Sequence, residues 1–393
     1  MVRRFLSIFA ALLALGLAFG ASLLVGNSRF TATFTGSLLA WSKSIPAPSD
    51  NDLSTAELLL RARVAFYERE VRDRFLLDGM VVNLDAAGRP LDVCDSLLFS
   101  SLRFVSLKKL GDIDSADAAW TAIRRSGEDG IWMRHPRCAK FLSRDMIVGL
   151  LVALTQAPDG SQGKLKDLLR VVEERGGFFS HGPASVSFLS PGLSQALGRV
   201  AVANGVHPSR LPTWVQSGVS TIEYNVMFLS PGYATHLVAL NTWIELELGA
   251  RFGRGADFDS SLAVVDPIAG WLTSSSFSEQ RLAWVSQRLV DLDSKNLFFR
   301  YLRLRTAGAL SPAVRLALKR ELLSAQQFPE TRMPMNCDRR ADYLWQRASR
   351  EYSPVSDSCS KQFNAVDFLW MAALLLESGP DGSETERLPQ VAH

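Results

Sequence analysis

The chain has 393 residues, 47% of them apolar, which suffices for one large core or two ordinary ones and excludes a disordered chain. Its 43 basic residues against 40 acidic ones leave a formal charge of +3. No long basic run is present to neutralise phosphates, so a nucleic-acid partner is not expected.

Behind Arg3 and Arg4 stands "FLSIFAALLALGLAFGASLLV", residues 5–25, uncharged and long enough to cross a hydrocarbon core as a helix. Ala18-Phe19-Gly20 also offers small residues at a cleavage site. Residues 1–26 are therefore expected to act as a signal peptide or as a signal anchor, and the sequence leaves both open. Either way the membrane is a partner of this segment, and the rest of the chain is expected to be exported to a periplasmic or other extracytoplasmic space. Residues 27–53, with "SIPAPSDND", read as a linker. "STAELLLRARVAFYEREVRDRFLL" follows, with Ser54 and Glu57 in capping-box spacing ahead of an amphipathic helix. "MVVNLDAAGRPLDV" is the one stretch that reads as a β-hairpin, with its turn near Gly88.

Export makes the cysteines readable. Cys94, Cys138, Cys337 and Cys359 form an early and a late pair, which in an oxidising compartment predicts disulfides Cys94–Cys138 and Cys337–Cys359, with the crossed pairings left open. There is no C-x-x-C or H-x-x-H spacing, and neither a metal nor a cofactor is expected.

From Asp95 onward, helical segments recur about every twenty residues, separated by short Gly-, Pro-, Ser- and Asp-marked connections that predict antiparallel helical hairpins. "FLSPG" occurs twice, at Phe188–Gly192 and Phe228–Gly232, and "LSP" again at Leu310–Pro312. Ser is a good N-cap and Pro is favoured in the first helical turn, so Ser190–Pro191 and Ser230–Pro231 read as helix starters, one hairpin period apart. Many such hairpins either stack into a solenoid or close into an (α/α) toroid, and no solenoid repeat signature appears. The predicted fold is all-α: an (α/α) toroid of antiparallel helical hairpins, with an N-terminal membrane segment and at most a small β-hairpin.

The helical order, the aromatic content and the segment "GIWMRHPRCAKFLSRDM" ahead of an apolar helix resemble the six-hairpin (α/α) toroid glycosidases and polysaccharide lyases. The resemblance covers residues 54–378, with 379–393 a tail. It implies a cleft at one end of the toroid that takes a polysaccharide, and an exported glycoside hydrolase acting on a cell-envelope or extracellular polysaccharide.

Glycoside hydrolysis needs two carboxylates, one to protonate the leaving oxygen and one to activate water or attack the anomeric carbon. Asp95 and Asp145 each stand at the start of an apolar helix, and a Cys94–Cys138 bridge would draw their neighbourhoods together. The helix dipole alone is the structural reason for an Asp at either place. Trp132, Arg134, His135 and Arg144 cluster beside Asp145 as candidate substrate-binding groups, since aromatic faces stack on sugars and Arg or His binds hydroxyls and carboxylates. A salt-bridge cluster would use the same residues. "GGFFSHGP" offers His181 and "TIEYN" offers Glu223 and Tyr224; in a lyase, Tyr224 or His181 would be the base. Asp342 and Asp367 share an Asp-aromatic-Leu-Trp pattern and both could reach the cleft, with Asp367 a candidate substrate-binding group, while Trp345 and Trp370 read as core. A non-catalytic, membrane-tethered scaffold or glycan-binding protein would use the same cleft. No G-x-S-x-G elbow, Walker loop or dinucleotide fingerprint is present.

Overall fold

A computed structural model describes residues 37–128, 131–138, 143–156, 158, 160–174, 178–182, 185–188, 191–206, 235–252, 275–338 and 357–377. These are mostly helical. The first helix, α1, covers residues 37–44, and the second, α2, is Asp50–Arg74. Both begin inside the stretch that reads as a linker. The reason is the cap: Ser49, not Ser54, accepts the Asp52 amide through its hydroxyl at 3.2 Å, and Asp50 and Asp52 supply the acidic first turn. Ser54 instead donates its hydroxyl to the Asn51 carbonyl at 3.1 Å, and Glu57 pairs with Arg61 one turn on.

Among the described residues ten further helices follow in chain order: α3 Ser96–Leu110, α4 Ile113–Arg125, α5 Arg144–Leu154, α6 Ser161–Glu174, α7 Pro191–Ala203, α8 Thr235–Phe252, α9 Ser275–Leu292, α10 Leu297–Thr306, α11 Pro312–Leu323 and α12 Val366–Leu376. They are of two kinds. In α4 only Ala116, Ala119, Trp120, Ala122 and Ile123 are buried, the stripe of a helix with one side in water. In α5 every residue from Asp145 to Leu154 is buried, and in α12 every residue from Val366 to Leu376. A helix buried all round must be enclosed by others.

The enclosed helices run in one direction. α3 and α5 touch where Leu98, near the start of α3, meets Gly149 at the middle of α5, and again just past the end of α5, where the Lys108 Nζ donates to the Gln156 carbonyl at 2.9 Å. α12 flanks α3 the same way, with the Lys361–Asp92 ion pair ahead of both helices and Lys109–Glu377 at 2.6 Å at their far ends. Asn204, just past α7, donates to the Leu154 carbonyl of α5 at 3.0 Å. Glu247 of α8 meets Lys109 at 2.8 Å and Arg305 of α10 at 3.2 Å. In the core, Trp370 of α12 stacks edge-on with Trp243 of α8 at 4.7 Å and Phe298 of α10 at 6.0 Å. Thus α3, α5, α7, α8, α10 and α12 share a direction. The first and last long stretches of the described residues also meet: α2 packs against α11 and α12, with ion pairs Asp52–Arg320 and Glu57–Lys319.

The strands decorate the connections that enter these helices. They are β1 Leu76–Leu77, β2 Met80–Val81, β3 Asn83–Asp85, β4 Pro90–Leu91, β5 Gly127–Glu128, β6 Ile131–Trp132, β7 Phe178–Gly182, β8 Ser185–Phe188 and β9 Lys361–Gln362. The expected hairpin is β3–β4, with Gly88 at φ +79° in its turn. The expectation of at most one hairpin is corrected: β1–β2, β5–β6 and β7–β8 are also antiparallel pairs, and β9 pairs with β3 to give the order β4-β3-β9. Two-residue strands are too short for alternation to be read from sequence.

Helix initiation by Ser-Pro is visible at α11, where Ser311 accepts the Val314 amide at 3.3 Å and Pro312 opens the helix. Pro191 likewise opens α7; Ser190 and the second copy, with Ser230 and Pro231, lie outside the described residues. Both expected disulfides form, Cys94–Cys138 and Cys337–Cys359, and point to an oxidising, exported environment. Among the described residues no helix is long and apolar enough to cross a membrane; residues 5–25 lie outside them.

Candidate functional site

The heads of α3, α5 and α12 lie on one face, and the sequence puts an aspartate at each. Asp95 occupies the cap position of α3 without making a cap bond, and its side chain is 47% exposed. Asp145 stands in the first turn of α5 and is 7% exposed. α3 and α5 are parallel neighbours, so the two aspartates stand at adjoining helix heads, and the charge of Asp145 acts on Asp95.

Arg134 fixes Asp95. Its Nε donates to the Cys94 carbonyl and its terminal nitrogen to the Asp95 carboxylate, while its own carbonyl accepts the Leu97 amide at 3.1 Å. The Cys94–Cys138 disulfide, with Cα atoms 5.8 Å apart, closes the same loop onto the start of α3. Partial desolvation pushes the Asp95 carboxyl above the usual range. Arg134 opposes this, but the charges of Asp145 and Asp92 add to it, and the net direction is upward.

A second polar set joins α3 to α12. Asn83 donates to Asp92 at 3.0 Å and, through its carbonyl oxygen, accepts from the Asn364 side chain at 2.9 Å and from the Asn364 amide at 3.1 Å. Lys361 pairs with Asp92. Burial alone would raise Asp92, but Lys361 and Asn83 hold its carboxyl below the ordinary value. Among the described residues, the non-glycine positions with positive φ are Asp78 at 52°, Asp92 at 53° and Ala365 at 54°, all in loops at this face. Such backbone persists only where its surroundings over-determine it, and it gathers at functional sites. Asn83, Asp92, Lys361 and Asn364 carried no motif that sequence reading could use; their meeting depends on β9 returning to β3 across most of the chain.

The other predicted residues fall in different places. Trp132 is buried against Trp120, with ring centroids 5.8 Å apart, and the Lys164 ammonium lies 5.3 Å from its ring. His135 is fully enclosed: its Nε2 donates to the Leu77 carbonyl at 3.1 Å and its Nδ1 accepts the Arg137 amide at 3.1 Å. Burial lowers its pKa, so the ring is neutral and ties its loop to the β1–β2 hairpin. Both residues act through the fold and present no face to a ligand. Arg144 is exposed at the first position of α5. Asp367 is buried in the first turn of α12, where it accepts the Phe368 amide at 3.1 Å and its charge acts on Tyr67 of α2. It thus lies toward α2. His181 is on β7, with its side chain outside the described residues; Glu223, Tyr224, Asp342 and Trp345 lie outside them altogether. Trp370 is core, as expected. Among the described residues no three His, Cys, Asp or Glu side chains converge as a metal site requires.

The sequence matches no protein-family model and no curated protein.

Proposed function

We propose that the protein is an exported glycoside hydrolase on a six-hairpin (α/α) toroid, acting on a cell-envelope or extracellular polysaccharide with Asp95 and Asp145 as its carboxylate pair. What supports the toroid is the alternation along the chain of α2/α3, α4/α5, α6/α7, α9/α10 and α11/α12, in which the second helix of each pair belongs to the parallel set, with α9 packed on α10 and α11 on α12. The return of α12 to α3 and of α11 to α2 supports closure.

The observation that carries the activity is the place of Asp95 and Asp145 at the heads of the neighbouring parallel helices α3 and α5, where the charge of Asp145 helps to raise Asp95. Two carboxylates that feel each other separate their proton affinities, the condition for an acid and a base to work side by side. Asp95, half exposed and with its carboxyl raised above the ordinary range, gives a proton to the leaving glycosidic oxygen. Asp145, buried at the start of α5, accepts the proton of an attacking water or attacks the anomeric carbon itself. Arg134 orients Asp95. The disulfides fit an extracytoplasmic site of action, and residues 5–25 would tether the domain there.

The Asp95–Arg134 ion pair favours a second reading, a non-catalytic glycan-binding scaffold in which the pair is structural. Incubating the purified full chain with a panel of neutral and acidic polysaccharides separates the readings. New reducing ends with saturated sugars support hydrolysis. Unsaturated uronate ends would assign the lyase reaction, with Tyr224 or His181 as base, and glycan retention without cleavage would assign the scaffold.

A further inference from the structure

Helix α2 turns an apolar side to solvent. Leu58 and Leu59 are 69% and 56% exposed, Ala62 and Ala65 are exposed, and Phe66 is half-buried. At helical spacing these share one side, opposite Ala56, Leu60, Arg63, Tyr67 and Val71, which pack into the domain. From Thr55 to Phe66 the stripe carries no charge. Arg61 flanks it, and Arg69 and Arg72 close its C-terminal end, with Arg61 paired to Glu57 and Arg72 to Asp73 only through exposed, weak contacts. Ile113 on α4 is the other large apolar side chain this exposed among the described residues.

The chain itself suggests what covers the stripe. Only residues 26–36 separate the apolar segment 5–25 from α1, and a chain of that length reaches at most about 40 Å. Leu58 lies about 12 Å along α2 from its start at Asp50. A membrane holding residues 5–25 is therefore within reach of the stripe. Two leucines and two alanines fall well short of the roughly 800 Å² per partner that a stable dimer needs. A tether removes that requirement, because it supplies an effective concentration in place of intrinsic affinity. Arginines beside a shallow apolar face suit anionic headgroups.

We propose that the Leu58, Leu59, Ala62 and Ala65 face of α2 lies on the anionic membrane surface to which residues 5–25 anchor the chain. The contact goes beyond the tether: it lays the domain down in one orientation rather than letting it turn freely. It rests on residues 5–25 being retained, and it is independent of catalysis.

The test uses the full chain with Ala62→Cys, labelled with an environment-sensitive fluorophore and reconstituted into phosphatidylethanolamine–phosphatidylglycerol vesicles. Asp114→Cys, exposed on α4, is the control. The expected result is a blue-shifted emission at position 62, quenched about twofold by nitroxide-labelled lipid, with neither effect at position 114. Leu58→Glu with Leu59→Glu should abolish both effects while leaving the circular dichroism unchanged. The proposal is overturned if the chain floats with the vesicles but position 62 stays as water-exposed as 114. It is equally overturned if the chain does not float, or if position 62 cross-links between copies and its emission follows protein density rather than lipid, which would assign the stripe to a second copy.

Discussion

A Cβ placed on Gly149 would lie 2.7 Å from the Cα of Leu98, so α5 and α3 meet backbone to backbone at that point. This contact, one turn below Asp145 and three residues past Asp95, sets the separation of the two carboxylates. Gly149→Ala forces the helices apart, since the obstructing atom is main chain. The expected cost is about 1–3 kcal/mol in a urea melt, together with a fall in whatever glycan cleavage the wild type shows. An unchanged melt would mean that the two helices are not in register as described.

The Cys94–Cys138 bridge holds the Arg134 loop against the start of α3. Replacing both cysteines by serine should cost about 2–5 kcal/mol of stability. It should also loosen the orientation of Asp95, so activity per folded molecule falls as well. The Cys337–Cys359 pair closes the loop ahead of β9 and not the Arg134 loop, so its removal should affect stability and leave activity per folded molecule nearly intact. Equal loss of activity from both removals would contradict the assignment of Arg134 as the group that positions Asp95.

At the far ends of the parallel helices, Glu247 is buried between Lys109 and Arg305, with Lys109 also paired to Glu377. Burial would raise Glu247, but the two cations hold it below its ordinary value of 4.5. A depressed carboxylate contributes stability that is present above the unfolded pKa and lost as pH falls through the folded one. His135, depressed from 6.5 by burial, likewise contributes above its unfolded value and loses that contribution as pH falls. Thermal midpoints should therefore decline first below about pH 6.5 and again below about pH 4.5. Glu247→Gln should cost about 3–5 kcal/mol at neutral pH, because it leaves buried cations short of a partner, and should flatten the second decline.

Ala365, at φ 54° directly before α12, occupies the left-handed region without the freedom of glycine. Ala365→Gly should relieve about 1 kcal/mol, read as a higher denaturant midpoint with unchanged slope. A lower midpoint would show that the conformation is not strained.

How much of this was legible in the sequence differs from residue to residue. Ser311–Pro312, the β3–β4 turn at Gly88 and both cysteine pairs were readable because each depends on local chemistry or on simple counting. Asp95 and Asp145 were readable as helix heads, but their approach to each other follows from the glycine at position 149, which sequence alone gives no reason to single out. The start of α2 was misread because two serines compete as caps, and Ser49 wins by having Asp52 three residues on. Trp132 and His135 look like cleft residues in "WMRHP", yet the β5–β6 hairpin turns them inward, where Trp120 and the Leu77 carbonyl receive them. The Asn83–Asp92–Lys361–Asn364 set joins residues nearly the whole chain apart, and no local pattern announces such a meeting.

Whether Asp95 and Asp145 work as one pair is read from the kinetics of Asp95→Asn and Asp145→Asn on the polysaccharide the wild type cleaves. Both variants should keep the wild-type circular dichroism and both disulfides, and each should lose about 100-fold or more in kcat. Asp95→Asn should also remove the fall in rate on the alkaline side of the pH profile, where the acid loses its proton. A folded Asp145→Asn enzyme that turns over at the wild-type rate would contradict the pairing.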